Sequence, residues 1–163
     1  MPHRAVIALG SNMGNRDFYL RMALCLIGWE VGEVVQRSSV IETPSWGFES
    51  DPFLNQVVVA ETELEPMALL DKLQDIERRL GRTEKSTVVD GRPVYHARTI
   101  DLDILDYDRM RFQNERLTLP HPHIAEREFV LAPLRELGID LMSTRLAIAH
   151  PELTNFGHAP SEI

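Results

Sequence analysis

The sequence holds a single cysteine, Cys25, so no internal disulfide can form. Cys25 lies among apolar residues with helical spacing, and a reducing cytoplasm is the expected setting. No apolar run approaches the roughly 20 residues that a membrane helix needs. Met1-Pro2-His3-Arg4 leads straight into a strand-like segment, without the apolar stretch and small-residue cleavage site of a secretory leader. Basic residues are also short: 17 Lys and Arg stand against 25 Asp and Glu, for a net charge of −8. That balance argues against a general nucleic-acid binder, whose affinity rests on a phosphate-neutralising basic face. Internal repeats, low-complexity tracts and dividing linkers are missing as well, so one domain over residues 1–163 is expected.

What is present is a regular alternation of elements. Arg4 to Leu9 reads as a strand closed by Gly10-Ser11-Asn12, and Leu20, Ala23, Leu24 and Ile27 recur at helical spacing, which predicts a helix from about Asp17 to Ile27. Val34 to Ile41 and Phe53 to Thr62 read as strands, separated by the turn-rich segment 43–52. Pro66 suits the first turn of a second helix, whose apolar stripe is Leu69, Leu73, Ile76 and Leu80, and Gly81 can end it. The segment from Arg82 to Ala97 has little periodicity, and loops that long in compact domains often act as lids. A strand through Asp101 and Asp103 follows, then turns and a helical piece from Phe129 to Leu137. The last residues are polar and are expected to pack loosely. The order matches the α+β, ferredoxin-like β-α-β-β-α-β arrangement: an antiparallel sheet, helices on one face, and C-terminal helical and loop additions. That fold hosts many functions.

The octet Arg98-Thr99-Ile100-Asp101-Leu102-Asp103-Ile104-Leu105 carries the sharpest chemical signal. Strand alternation turns Asp101 and Asp103 to one face, about 7 Å apart at their Cα atoms. Aspartate is depleted in strands, so the pair needs a reason. A solvated face supplies one and a bound divalent cation another, and the octet alone balances them evenly. His121-Pro122-His123 lies between Arg116 and Arg127. A histidine beside proline in a polar turn more often faces solvent, whereas His121 and Arg127 could also reach phosphate oxygens. Asn55, flanked by Phe53 and Val57, is either a satisfied core amide or the reader of a flat heterocycle's polar edge. Trp46 and Tyr95 are surface aromatics or covers for such a ring. Gly10-Ser11-Asn12-Met13-Gly14-Asn15 lacks the Walker ending and reads as a structural turn into the first helix.

These motifs, in this order, resemble the 6-hydroxymethyl-7,8-dihydropterin pyrophosphokinase family of folate biosynthesis. The resemblance runs through Ala8-Leu9-Gly10-Ser11-Asn12, Thr43-Pro44, Phe53-Leu54-Asn55, Gly81-Arg82 and the aspartate octet. It closes with Arg116-Leu117-Thr118-Leu119-Pro120-His121-Pro122 and Arg127-Glu128-Phe129. It implies transfer of the β,γ-diphosphate of ATP to the pterin hydroxymethyl oxygen, with release of AMP. Asp101 and Asp103 would hold two Mg²⁺. Arg82, Lys85, Arg98, Arg116, His121 and Arg127 would neutralise the triphosphate, and Gln74, Glu77, Ile104 and Thr118 would line the nucleotide. Thr43, Pro44, Trp46, Phe53, Asn55, Tyr95 and Phe129 would form the pterin pocket. A monomeric, cytoplasmic enzyme with small-molecule partners only, and neither nucleic acid nor membrane, is what the resemblance and composition together lead one to expect. The chain departs from the commoner family pattern at Tyr95-His96-Ala97, Glu84, Pro122 and Asp106. A ligand-binding module without catalysis would leave the aspartates and arginines without work. A different Mg²⁺-dependent nucleotidyl transferase would share the aspartates without needing Phe53-Leu54-Asn55.

Overall fold

The computed structural model describes residues 1–43, 52–81, 87–89, 92–94 and 99–141. In chain order these form β1 (His3–Ser11), α1 (Arg16–Glu30), β2 (Gly32–Arg37), β3 (Ile41–Thr43), β4 (Phe53–Thr62) and α2 (Pro66–Arg79). There follow β5 (Thr87–Val89), β6 (Arg92–Val94), β7 (Asp101–Tyr107), β8 (Phe112–Gln113), β9 (Thr118–Leu119) and α3 (Glu128–Glu136). The main sheet has the order β2-β4-β1-β7, with β3 also paired to β4, and every pairing is antiparallel. The molecule is thus α+β.

Both sheet faces are covered, which is why β1 and β4 read as nearly unbroken apolar runs. Ala5, Ile7 and Leu9 of β1 join Val58, Ala60, Leu102 and Ile104 in a core beneath α1 and α2. Val6, Val57, Val59 and Leu105 point the other way and meet Val130 and Leu134 of α3. The expectation of helices on one face therefore holds for α1 and α2 only. The short apolar run of α3 gave no sign of which face it would cover.

Local chemistry explains most element boundaries. Asn15 caps α1 by accepting the Phe18 N–H at 3.1 Å, and the preceding Gly14 has φ +70°. Gly10 and Ser11, expected in the turn, extend β1 instead, and the turn into α1 is confined to Asn12–Asn15. Helix α2 starts at Pro66 and ends before Gly81, whose φ of +99° favours glycine. Glu30 bonds Arg79 at 2.7 and 2.9 Å and Lys72 at 3.3 Å, tying the end of α1 to α2.

Three segments differ from the sequence expectation. The single strand expected over Val34 to Ile41 is broken at Ser38, whose hydroxyl accepts the Val57 N–H at 3.0 Å. Gln56 donates its side-chain amide to the Ser38 carbonyl at 2.8 Å, so side chains stand in for ladder bonds there. Within the expected 82–97 loop, β5 and β6 pair as an antiparallel hairpin. Helix α1 also continues past Gly28 to Glu30, since one glycine lowers helix stability without ending it.

Candidate active site

The register aligns the predicted residues in two rungs across three strands. Gly10 of β1 faces Asn55 on one side and Asp101 on the other. Ala8 faces Val57 and Asp103 in the same way. Directly opposed residues share a sheet face, so Asn55, Asp101 and Asp103 lie on one surface. Phe53 belongs to the same face two residues before Asn55, and Thr43 is its partner on β3. Asn55 is only 6% exposed, and its Nδ2 donates to Thr43 Oγ1 at 2.7 Å. Asp101 and Asp103 are half-buried.

Helix α3 closes the lower part of this same face through Val130 and Leu134. Its first turn brings Phe129 against that cluster, and the Arg127 guanidinium sits 5.9 Å from the Phe129 ring centroid. This C-terminal addition, on the face opposite α1 and α2, is therefore the element that carries Arg127 and Phe129 to the aspartate side.

The outer edge of β7 borders a cleft of about 240 Å³ lined by Leu102, Asp103, Ile104, Arg116, Thr118 and His121. The His121 backbone N–H donates to the Leu105 carbonyl at 2.9 Å, fixing this segment along the strand edge. His121 Nδ1 accepts the His123 N–H at 3.1 Å, and the two rings stand edge to face at 5.8 Å. Arg116 reaches across to α2, donating to Asp71 at 2.7 Å and to Gln74 at 2.9 Å. Gln74 thus meets the cleft through Arg116.

Glu77 plays a part that the sequence reading missed. It is 4% exposed, and its Oε2 accepts the Leu102 N–H at 2.7 Å, midway between the two aspartates. Its signal was present as an acidic residue inside an apolar helix stripe, four after Leu73 and seven after Leu70. Such a carboxylate needs a buried donor, and the strand edge supplies one.

Asp106 stands further along β7, opposite Val6, where the register of the β1–β7 pair shifts. It is 3% exposed, and burial pushes its carboxyl above the usual range, offset in part by the Arg109 N–H at 3.1 Å. Among the described residues its Oδ1 has no hydrogen-bond partner, nor do the buried hydroxyls of Ser11 and Thr99. Pro44, Trp46, Arg82, Lys85, Tyr95 and Arg98 lie outside the described residues. Among those described, no group of three or more His, Cys, Asp or Glu gathers as a metal site. No described helix is long and apolar enough to cross a membrane.

Paired carboxylates on a rigid strand, beside a cleft bearing arginine and histidine, define an α+β enzyme suited to phosphoryl transfer. The chain belongs to the 7,8-dihydro-6-hydroxymethylpterin-pyrophosphokinase family, whose model matches residues 6–139. It is a pyrophosphokinase of folate biosynthesis acting on hydroxymethyldihydropterin. A 2-amino-4-hydroxy-6-hydroxymethyldihydropteridine pyrophosphokinase of Porphyromonas gingivalis is 44% identical over 134 residues, covering 81% of this chain and 88% of that one. The protein of the same name from Bacillus subtilis is 43% identical over 139 residues, covering 84% and 79%. The crystal structure of wild-type HPPK-DHPS from Plasmodium falciparum shares the fold, with a TM-score of 0.63 at 16% identity over 83% of this chain. This chain spans 41% of that one.

Proposed function

We propose that the chain transfers the β,γ-diphosphate of ATP to the hydroxymethyl oxygen of 6-hydroxymethyl-7,8-dihydropterin, releasing AMP and a proton. The new bond joins that oxygen to the β-phosphorus, and the bond from the β-phosphorus to the α,β-bridging oxygen breaks. The observation that carries this reading is the shared face of Asn55, Asp101 and Asp103, with Gly10 between Asn55 and Asp101. It would hold a flat heterocycle across β1 from the triphosphate, and alignment of that kind is the larger part of such catalysis.

The donor set fits Mg²⁺, since two half-buried carboxylates of one strand face offer hard oxygen ligands and leave positions for water and phosphate. Two Mg²⁺ held by Asp101 and Asp103 would neutralise phosphate charge and orient the reacting groups. Arg116, His121 and Arg127, with Arg82, Lys85 and Arg98, bind triphosphate oxygens. Gln74 and Glu77 act at the nucleotide through the groups they hold, Arg116 and the Leu102 N–H. Ile104 and Thr118 line the base. Asn55 reads the pterin edge while Phe53 and Phe129 contact its ring, with Thr43, Pro44, Trp46 and Tyr95 completing the pocket. The 44–52 and 82–97 segments would close over both substrates and exclude water, the competing nucleophile. The strand order supports the ferredoxin-like reading of the sheet: β1, β2, β4 and β7 stand in the sequence of that arrangement, with α1 and α2 as its crossovers. Residues 1–163 serve as one catalytic domain, working as a monomer on small molecules.

Substitution of either aspartate tests the reading. Asp101→Asn and Asp103→Asn should each lower turnover by about a hundredfold or more, as loss of transition-state charge stabilisation does. Both side chains are half-buried and isosterically replaced, so the melting temperature should stay near wild type. A near-normal rate in either variant would remove the metal role.

A further inference from the structure

Gly10 lies inside the central strand of the sheet, where glycine has a conformational cost and contributes no side-chain packing. Its φ is outside the left-handed region, so backbone freedom does not explain the residue. Space does. A Cβ built on Gly10 would stand 3.3 Å from Asn55 Oδ1 and 3.5 Å from Phe53 Cδ1. The first distance is tighter than side chains ordinarily accept, and Asn55 has little freedom to retreat, because its Nδ2 is bonded to Thr43 at 2.7 Å.

Along this face of β1 the side chains shrink steadily, from Val6 beneath α3 to Ala8 and then to none at Gly10. The taper ends in the rung that joins Asn55 to Asp101. We infer that Gly10 is a positioning residue for heterocycle recognition: its missing Cβ lets the Asn55 amide and the Phe53 ring close onto the strand. A methyl group there drives Asn55 Oδ1 outward or breaks the bond to Thr43. Hydrogen bonds to a rigid ring edge tolerate only a few tenths of an ångström, so the loss falls on the pterin rather than on the nucleotide. This inference rests on the proposed reading that Asn55 contacts the pterin.

The test is a double-mutant cycle read in steady-state kinetics. Gly10→Ala should raise KM for the reduced pterin about tenfold, leave KM for ATP unchanged, and lower kcat by less than about threefold. In the Asn55→Ala background the same change should add less than about twofold, because its target is gone. Equal effects of Gly10→Ala in both backgrounds, or a rise in KM for ATP, would overturn the inference while leaving the pterin role of Asn55 intact. If Asn55→Ala leaves the pterin KM at its wild-type value, the underlying reading fails and the inference with it. Should Gly10→Ala not fold, recovery of folding in Gly10→Ala/Asn55→Ala would support crowding at Asn55. Failure of both proteins to fold would overturn it.

Discussion

Asp106 shows how one side chain leaves a measurable mark without touching substrate. Its carboxyl is raised because burial disfavours the charged form, with the Arg109 N–H as a partial offset. A folded-state value above the unfolded one means that the native protein binds the extra proton between those two values. Stability therefore falls as pH rises from the ordinary carboxylate range through the raised value. Asp106→Asn keeps an acceptor for Arg109 and removes the titration. The stability of the wild type relative to this variant, from urea unfolding, should decline with pH across that window and be flat below it. A difference independent of pH would contradict the burial. Its neighbour Asp108 behaves oppositely. Burial pushes its carboxyl up, but the Arg4 N–H at 2.7 Å and the His3 ring at 2.6 Å hold it below the usual range. Asp101 and Asp103 were legible as a shared strand face, but the bond from the Leu102 N–H to Glu77 was not. A strand read by itself does not disclose which helix carboxylate will meet its free N–H.

At the scale of elements, β7 is an edge strand with different neighbours on its two sides. β1 fixes one side through the ladder, while Glu77 of α2 and the His121 N–H bond the other. Glu77→Gln keeps an acceptor for Leu102, whereas Glu77→Leu leaves a buried N–H unpaired at a cost of about 1–3 kcal/mol. Gln should therefore retain much of the native stability and Leu should not, with the Mg²⁺ requirement rising most in Leu as the aspartate spacing loosens. Identical Mg²⁺ titrations for Leu and wild type would show that the contact does not position the strand. Periodicity made α2 and β4 plain because their apolar patterns are long. The break at Ser38 was hidden because Ser38 and Gln56 supply the missing ladder bonds through side chains, and residue type alone does not reveal that pairing. The β5–β6 hairpin was hidden for a related reason. Strands of three residues are too short to show an alternation.

Across the whole molecule, an acidic chain sets three basic side chains where an anion is expected to bind. Arg116 and His121 line the β7 cleft, and Arg127 opens α3 on the aspartate face. The side of the sheet covered by α3 decides this arrangement, and a nine-residue helix near the end of the described chain does not announce its side. The ordered middle of the sheet was readable because β1 and β4 are apolar on both faces. MgATP at about a hundred times its Kd should stabilise the fold by about 2.7 kcal/mol. For a domain of this size that is a rise in melting temperature of roughly 5–11 °C. Asp101→Asn should show much less of it, and an equal rise in variant and wild type would place the nucleotide elsewhere.

The central claim is that a diphosphate, not a single phosphate, moves from ATP to the pterin. Phosphorus NMR of a reaction containing MgATP and 6-hydroxymethyl-7,8-dihydropterin reads this directly. The predicted result is AMP and a pterin diphosphate ester, appearing in equal amounts. Formation of ADP with a pterin monophosphate, or no turnover by the folded protein, would contradict it.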